Sequence, residues 1–577
     1  MSAAVSDAAP LPPPALANSP RRWWALAALT LCVLIIGLDG TIINVALPSM
    51  AQELGADSAE LQWISGGYLL ALSAAMLPVG MLGDRFGHKR LLVAGIALFG
   101  LASGAGALVD STGAVITVRA VLGLAAAVIT PLSMAILPKI FAQEELQKAI
   151  ATWTGATALG LPIGPLVGGW LLNHFWWGSV FVFNIPVVVA ALIAGMWLLP
   201  DDSRRHEAEA ARAAGRAPAA EGKQGSAEEK QGPFDLLGTA LSATGITALV
   251  YGTILQPAKG WSDVQVTGSL IAGVVLLVGF VLHQRRIPHP LVDLKLFSDH
   301  RFGWGALIAV FVQFAVVGIL FVLPQYLQGV LGADAFGTGL RLLPMIGGLM
   351  GAAALSDGLV SKLGSRTIIP IGLLLLTVGG LLGSFTRNGD GYGSVAPWLT
   401  LTGLGFGLAI VPATTLVMSS LPPERSGAGT SLLETLQQVG GVLGVAVLGS
   451  LLSSRYLGRL STDHLSAPAE HAARDSVLGA DAVASQLHDE ALLTSAHSAF
   501  VHGMSLVLVV CAVSSLVAAV LAVVFLPARS QDPTLLKAEE AEAKKTEEAK
   551  KAEEAANGTA GALEDDTTTA QHGESLV

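Results

Sequence analysis

The sequence predicts an all-α membrane protein of about fourteen spans. Composition, apolar runs and the placement of basic residues predict it. The chain has 577 residues, 52% hydrophobic and 13% charged, where an average soluble domain is about 25% charged. Its mean hydropathy is +0.62. Runs long enough to cross a bilayer, which takes about 20 residues, recur along most of the chain. Lys and Arg gather in alternate connections between those runs. The net charge of −10 does not make this an acidic soluble protein, because much of the acid sits in the C-terminal tail.

Residues 1–20 are rich in Ala and Pro and have neither a charged leading segment nor an A-x-A site. They read as a disordered cytoplasmic leader, not a signal peptide. The apolar runs then fall at 23–47, 61–82, 91–109, 114–137, 150–172 and 180–199. Residues 201–234 form a polar Ala/Glu/Lys segment, read as a cytoplasmic linker. Further runs follow at 235–256, 266–284, 303–325, 336–357, 367–385, 397–418, 430–453 and 499–526. Residues 454–498 read as a long extracellular loop. Residues 527–577 read as a charged cytoplasmic tail, in which Glu540/Lys544 and Glu547/Lys551 have helical i,i+4 spacing. Connections 52–60, 109–112, 173–179 and 331–337 contain no Lys or Arg, while Arg21, Arg22, Arg85, Arg90, Lys139, Lys148 and Lys362 mark the other side. Both termini are therefore expected in the cytoplasm.

Several classes fall away. Cys32 and Cys511 both lie in apolar runs, so no disulfide framework or Cys-based metal site is expected. There is no GxxxxGK[ST] loop for ATP and no HExxH or Ser/His/Asp set within spans. His174, His283 and His289 sit at span ends or in loops and read as interfacial. No enzyme activity, cofactor, metal or nucleic-acid partner is expected. The expected partners are the lipid bilayer, protons and a small drug-like molecule, with the chain acting as a monomer.

The turn from Gly80 to Arg90 reads GMLGDRFGHKR. Arg85, Lys89 and Arg90 mark it as cytoplasmic. Asp84 needs another reason. It either holds a neighbouring helix N-terminus or nearby cations, or is a solvated loop charge. Residues 356–366 echo this turn: Leu359, Lys362, Gly364 and Arg366 align with Leu82, Arg85, Gly87 and Lys89. Ser361 falls where Asp84 sits, and Asp357 lies one helical turn upstream. The register fits two related six-helix halves with two spans inserted between them. The substrate site would lie between the halves.

A charge inside a span costs about 2.5–3.5 kcal/mol by insertion scales and is functional by default. Asp39 and Arg119 fall at similar depth in the outer half of the membrane and could share one pocket. A carboxyl sheltered from water can carry a proton, which makes Asp39 a candidate for proton coupling. The alternative is a structural salt bridge to Arg119. Glu434 lies about one turn inside the cytoplasmic face, as a third coupling residue or a snorkelling one. Asn44, Tyr68, Gln313, Gln325 and Gln437 are polar within spans and, with Asp39 and Glu434, are candidate substrate contacts. Helix-packing hydrogen bonds explain such residues as well. Gly160, Gly164 and Gly168 form a smooth stripe for close helix contact.

The Gly80–Arg90 turn resembles the loop after the second span of the major facilitator superfamily. Gly80, Leu82, Asp84, Arg85, Gly87, Lys89 and Arg90 match. The resemblance implies a conformational latch there, carried by Gly80, Asp84, Arg85, Gly87 and Arg90. Leu38, Asp39, Thr41, Asn44, Val45, Ala46, Leu47 and Pro48 resemble the first-span motif of the fourteen-span drug:proton antiporter branch, the EmrB/QacA type. There the Asp is linked to proton coupling or cationic-drug binding. Gly160, Gly164, Pro165, Gly168 and Gly169 resemble the superfamily's antiporter motif. Residues 118–127 resemble its fourth-span motif, which implies that Arg119 assists proton transfer, although Leu122 replaces the usual Gln. Residues 63–68 lack the acid that divalent-cation pumps carry there, while Glu434 occupies a position where such pumps have acids. The resemblance implies a major-facilitator fold: bundles 21–200 and 291–526, with two inserted helices in 235–290. It implies proton-coupled efflux of amphipathic, hydrophobic or monovalent cationic compounds across a bacterial cytoplasmic membrane. The alternatives are a proton symporter of the same superfamily and a non-transporting sensor.

Overall fold

The structure is a computed structural model that describes residues 19–56, 58–199, 235–287, 290–421, 426–462 and 465–526. The expected leader up to residue 18, the 201–234 linker and the 527–577 tail lie outside the described residues. Among the described residues, 14 helices are long and apolar enough to cross a membrane.

The first five are α1 (Arg21–Leu54), α2 (Ser58–Phe86), α3 (His88–Gly106), α4 (Thr112–Ile140) and α5 (Gln143–His174). A sixth span is broken at Phe183 into α6 (Ser179–Val182) and α7 (Asn184–Leu198). Next come α8 (Leu236–Lys259), α9 (Val264–Gln284), α10 (His300–Gln325), α11 (Ala335–Leu363), α12 (Ser365–Ser384), α13 (Tyr392–Ser420) and α14 (Ser426–Leu457). Short helices α15 (Ala467–Asp475) and α16 (Val477–Leu487) precede the last span, α17 (Glu490–Phe525).

Helices outrun their apolar runs because backbone hydrogen bonding does not stop where side chains turn polar. α1 continues to Leu54 and ends on Gly55 in the left-handed conformation, φ 65°. The α2–α3 turn is a single residue, Gly87, at φ 94°, and the α11–α12 turn is Gly364 at φ 82°. Both conformations favour glycine. The sequence echo between these turns is thus also an echo in the backbone.

α1 packs against α5 and α7, α2 against α4, and α3 against α4 and α7. A second group is built from α10 to α14 and α17. The groups meet where α2 faces α14 and α5 faces α11. α13 is the innermost span, with 83% of its apolar window buried, and α9 the outermost, with 17%. α8 pairs with α9 and lies against both α2 and α14. Trp63 and Tyr251 meet there with ring centroids 5.8 Å apart.

Residues 454–498, expected as a long extracellular loop, carry helical structure of their own. α14 extends into this segment, α17 begins within it, and α15 and α16 fold between them. Ser476 caps α16 by accepting the Gly479 amide at 3.0 Å. The Tyr456 hydroxyl donates to the Ala473 carbonyl at 2.8 Å, and His497 Nε2 lies 2.9 Å from Asp481 Oδ1. These elements are too short to register as spans: α15 is polar and α16, though apolar, is only 11 residues long.

Candidate functional site

Asp39 on α1 and Arg119 on α4 are each 1% exposed. Arg119 Nη1 donates to Asp39 Oδ2 at 2.6 Å. Arg119 Nε donates to the Ile64 carbonyl of α2 at 3.1 Å, and its guanidinium lies over the Tyr68 ring, 4.4 Å from the centroid. The other carboxylate oxygen accepts from Asn184 Nδ2 of α7 at 2.9 Å. The same amide nitrogen lies 3.3 Å from Ser103 Oγ of α3. Two charges removed from water need this pairing and these extra hydrogen bonds, or their desolvation is uncompensated. The expected meeting of Asp39 with Arg119 is present, and Tyr68 belongs to the same cluster. Asn184 and Ser103 were missed. Their one signal was a lone polar residue inside an apolar run.

The small-residue stripe of α5 packs on the stretch of α1 that carries Asp39. A Cβ at Gly160 would lie 2.6 Å from the Gly37 carbonyl carbon, and one at Gly164 would lie 1.9 Å from Thr41 Oγ1. A Cβ at Gly168 would meet Ile42 at 2.8 Å. Thr41 Oγ1 lies 3.2 Å from the Gly160 carbonyl. Pro165 is half-buried, and Gly169 faces open space.

A second cluster sits where α2 ends. The Asp84 carboxylate accepts the amides of Gly427 at 2.9 Å and Ala428 at 2.8 Å, in the first turn of α14. Gly80 allows the approach: a Cβ there would lie 2.5 Å from the Gly427 carbonyl oxygen. His88, unassigned by the sequence reading, is buried, with Nε2 3.1 Å from Asp84 Oδ1 and Nδ1 2.9 Å from Lys139 Nζ. Arg85 is half-exposed, 6.0 Å from the Phe86 centroid, and Arg90 is exposed. On the other seam, Gln147 Nε2 of α5 donates to Ser356 Oγ of α11 at 3.1 Å, and Lys148 Nζ lies 3.2 Å from Asp357 Oδ2.

The remaining candidates are scattered. Glu434 on α14 is half-buried and makes no ion pair or hydrogen bond among the described residues. Gln437 is buried, and its amide nitrogen has no hydrogen-bond partner among the described residues. Gln325 donates to the Phe321 carbonyl of its own helix at 2.9 Å, and Gln313 is half-buried. The side chain of Asn44 lies outside the described residues. An apolar cavity between the two groups of helices is lined by Ala158, Leu320, Met345, Leu349 and Phe406 among others, and by none of these candidates. Arg341, within α11, is a further intramembrane charge that the sequence reading passed over. No group of three or more His, Cys, Asp or Glu able to hold a metal ion occurs among the described residues.

The Major Facilitator Superfamily model matches residues 29–445. The chain belongs to this superfamily. Its relatives there include the Tetracenomycin C resistance and export protein of Streptomyces glaucescens, 35% identical over 87% of this chain and 91% of that one. The Multidrug efflux pump LfrA of Mycolicibacterium smegmatis is 30% identical over 88% of this chain and 97% of that one. The Methyl viologen resistance protein SmvA of Salmonella typhimurium is 30% identical over 76% and 83%. The fold matches the crystal structure of the human organic anion transporter MFSD10, with a TM-score of 0.56 at 13% identity, covering 86% of this chain and 100% of that one. The helical architecture expected from the sequence is therefore the superfamily's architecture.

Proposed function

We propose that this superfamily member exports amphipathic, hydrophobic or monovalent cationic compounds, antibiotics and dyes among them, in exchange for protons. The relatives' names, all of resistance, export or efflux, support the direction and drug-like compounds as the cargo. The monovalent limit rests only on residues 63–68 having no acid, since methyl viologen in one of those names is a dication. The observation that carries proton coupling is the buried Asp39–Arg119 pair. A carboxylate held this way is bonded on both oxygens. Protonating it from one side of the membrane would free Arg119 and weaken the tie between α1 and α4. Releasing the proton on the other side would restore that tie. The chemistry needs one acid, one mobile cation partner and alternate access.

The end carrying Asp84 is read as cytoplasmic, because Lys and Arg gather in its connections. Both chain termini then lie in the cytoplasm of a bacterial cell, and one chain suffices for transport. Asp84 on α14 and Lys148 on Asp357 would hold the halves closed toward the cytoplasm, as a latch that opens when substrate enters from inside. Glu434 on α14, without an ion pair or hydrogen bond among the described residues, is the second candidate acid.

Ethidium efflux from energised membrane vesicles under an imposed pH gradient tests this reading, comparing wild type with Asp39→Asn. Gradient-driven efflux that the variant loses supports both exchange and the role of Asp39. An unaffected variant moves coupling to another acid, with Glu434→Gln the next comparison. A wild type that moves no dye or antibiotic from a broad panel overturns the export reading.

A further inference from the structure

The ends of α14 and α17 away from Asp84 carry cations on the side where basic residues are otherwise sparse. Arg455 lies about 29 residues beyond Ser426, the first residue of α14, so roughly 44 Å along the helix. His502 lies about 23 residues before Phe525, the last residue of α17, so roughly 35 Å along it. That end of α17 is on the side of Asp84, because its Val523 carbonyl accepts from Arg366, beside the α11–α12 turn, at 2.8 Å. A hydrocarbon core is about 30 Å thick, and about 40–45 Å with its headgroups. Arg455 and His502 therefore both fall at headgroup level on the far side.

The packing of α14 on α17 brings these charges together. A Cβ at Gly503 would lie 2.9 Å from Leu452 Cδ1 and 3.6 Å from Arg455 Cβ. Beyond the end of α14, the Ser461 amide donates to Ser495 Oγ at 3.1 Å, which keeps Arg459 alongside α17. Arg455 and Arg459 are both within Coulombic range of His502. Among the described residues none of the three side chains makes an ion pair or hydrogen bond. Acids of the same outer segment are used elsewhere. Asp481 lies 2.9 Å from His497, Glu470 3.3 Å from Arg474, and Asp489 accepts the Leu492 amide at 3.0 Å. Cations at the end of α14 complement its dipole, but His502 is well inside α17, where no helix end explains it. Below the charges, Leu451 at i−4 from Arg455 and Val509 and Val513 at i+7 and i+11 from His502 continue these faces into the span. Leu451 and Val509 are half-buried, and Val513 is 53% exposed.

We infer that Arg455, Arg459 and His502 form a binding site for an anionic phospholipid of the outer leaflet. The phosphate takes the two guanidinium groups and a ring N–H of His502, which the imidazole offers in either protonation state. An acyl chain runs along Leu451, Val509 and Val513. A zwitterionic lipid brings its own cation to the same place, so the net charge of the headgroup sets the preference. The inference rests on the proposed orientation only for the choice of leaflet.

The test labels the full chain with bimane at Ser454→Cys, an exposed position beside Arg455. Cys32 and Cys511 are buried and stay unlabelled. The protein is placed in phosphatidylcholine nanodiscs that contain rising fractions of phosphatidylglycerol or phosphatidylcholine spin-labelled high on the acyl chain. Phosphatidylglycerol is expected to quench at a mole fraction roughly tenfold lower, and Arg455→Gln with Arg459→Gln to abolish the difference. Arg455→Lys with Arg459→Lys, which keeps both charges, retains most of it, and His502→Gln lowers it in part. Equal quenching by the two lipids without these substitutions overturns the site. A preference that the double Gln variant leaves unchanged also overturns it, and makes the arginines partners of the helix dipole alone. Loss of the preference in millimolar inorganic phosphate, but not in chloride of equal ionic strength, assigns the cations to a soluble anion and overturns the lipid as occupant. Nanodiscs expose both faces alike, so a reversed orientation or a failed efflux assay leaves this result intact.

Discussion

Asp84 and Gly427 are 343 positions apart in the chain, and the Asp84 carboxylate accepts the Gly427 amide at 2.9 Å. The bond joins the end of α2 to the first turn of α14. An anion there meets unpaired amides and the positive end of the helix dipole together. At the same end of the bundle, Lys148 on α5 reaches Asp357 on α11 at 3.2 Å. Both seams between the helix groups are therefore tied at one end.

Replacing Asp84 with Ala removes the acceptor for two helix amides. Loss of such a cap costs about 0.5–2 kcal/mol, enough to change a two-state ratio by roughly 2- to 30-fold. Spin labels at Arg90 and Ser361, both exposed on opposite groups, are expected to report a longer distance population in Asp84→Ala. Asp84→Asn keeps one acceptor oxygen and should shift the populations less. An unchanged distance distribution in Asp84→Ala would count against the latch.

The α1–α5 contact predicts a contrast between two glycines of one motif. Gly164→Ala places a Cβ 1.9 Å from Thr41 Oγ1, so α1 or α5 must move. Overpacking of this kind costs about 1–3 kcal/mol. Gly169→Ala meets no heavy atom within 4 Å and gains helix propensity of up to about 1 kcal/mol. Thermal unfolding in detergent should show Gly164→Ala melting lower than wild type and Gly169→Ala at or above it. Equal melting temperatures would mean that α1 and α5 are looser than this packing.

The spans were legible because a membrane imposes a length and a composition on each helix. Asp39 and Arg119 were legible because a charge in an apolar run stands out, and counting residues from each end gave matching depths. Asn184 and Ser103 were not, since a neutral polar residue in a span carries no comparable cost and depth alone does not fix a helix face. His88 occupies a variable slot of its motif, and only its burial against Asp84 and Lys139 marks it. The α15–α16 pair was hidden because helices of 9 and 11 residues fall short of a span's length. Which polar groups face a cavity depends on helix rotation, and Gln325 shows the result by bonding its own helix.

A pH dependence follows from the base of the α8–α9 pair. Asp235 caps α8 by accepting the Gly238 amide at 2.7 Å, and it also receives His283 at 2.9 Å and Gln284 at 2.6 Å. Burial pushes its carboxyl up, but these hydrogen bonds outweigh burial and hold it below its ordinary 3.8. A depressed acid contributes stability that is present above the unfolded value and lost as pH falls through the folded one. The melting-temperature gap between wild type and Asp235→Asn should be present at neutral pH and close below about pH 4. A gap independent of pH would assign Asp235 a purely steric role.

The Asp39–Arg119 pair makes the strongest energetic prediction. Removing one member of a buried pair leaves a charge without its partner, at a cost of about 3–5 kcal/mol, whereas removing both is often neutral. Arg119 would retain only the Ile64 carbonyl and the Tyr68 ring in Asp39→Asn. Asp39 would retain only Asn184 in Arg119→Gln. Each single variant is expected to unfold at lower temperature than the double variant, with a coupling between the sites of roughly 1–3 kcal/mol. All three should fail in gradient-driven exchange, because the proposed coupling needs both the acid and the cation that it releases. Losses that simply add would mean the two side chains act independently. A double variant that regained exchange would place coupling outside this pair, whatever its part in stability.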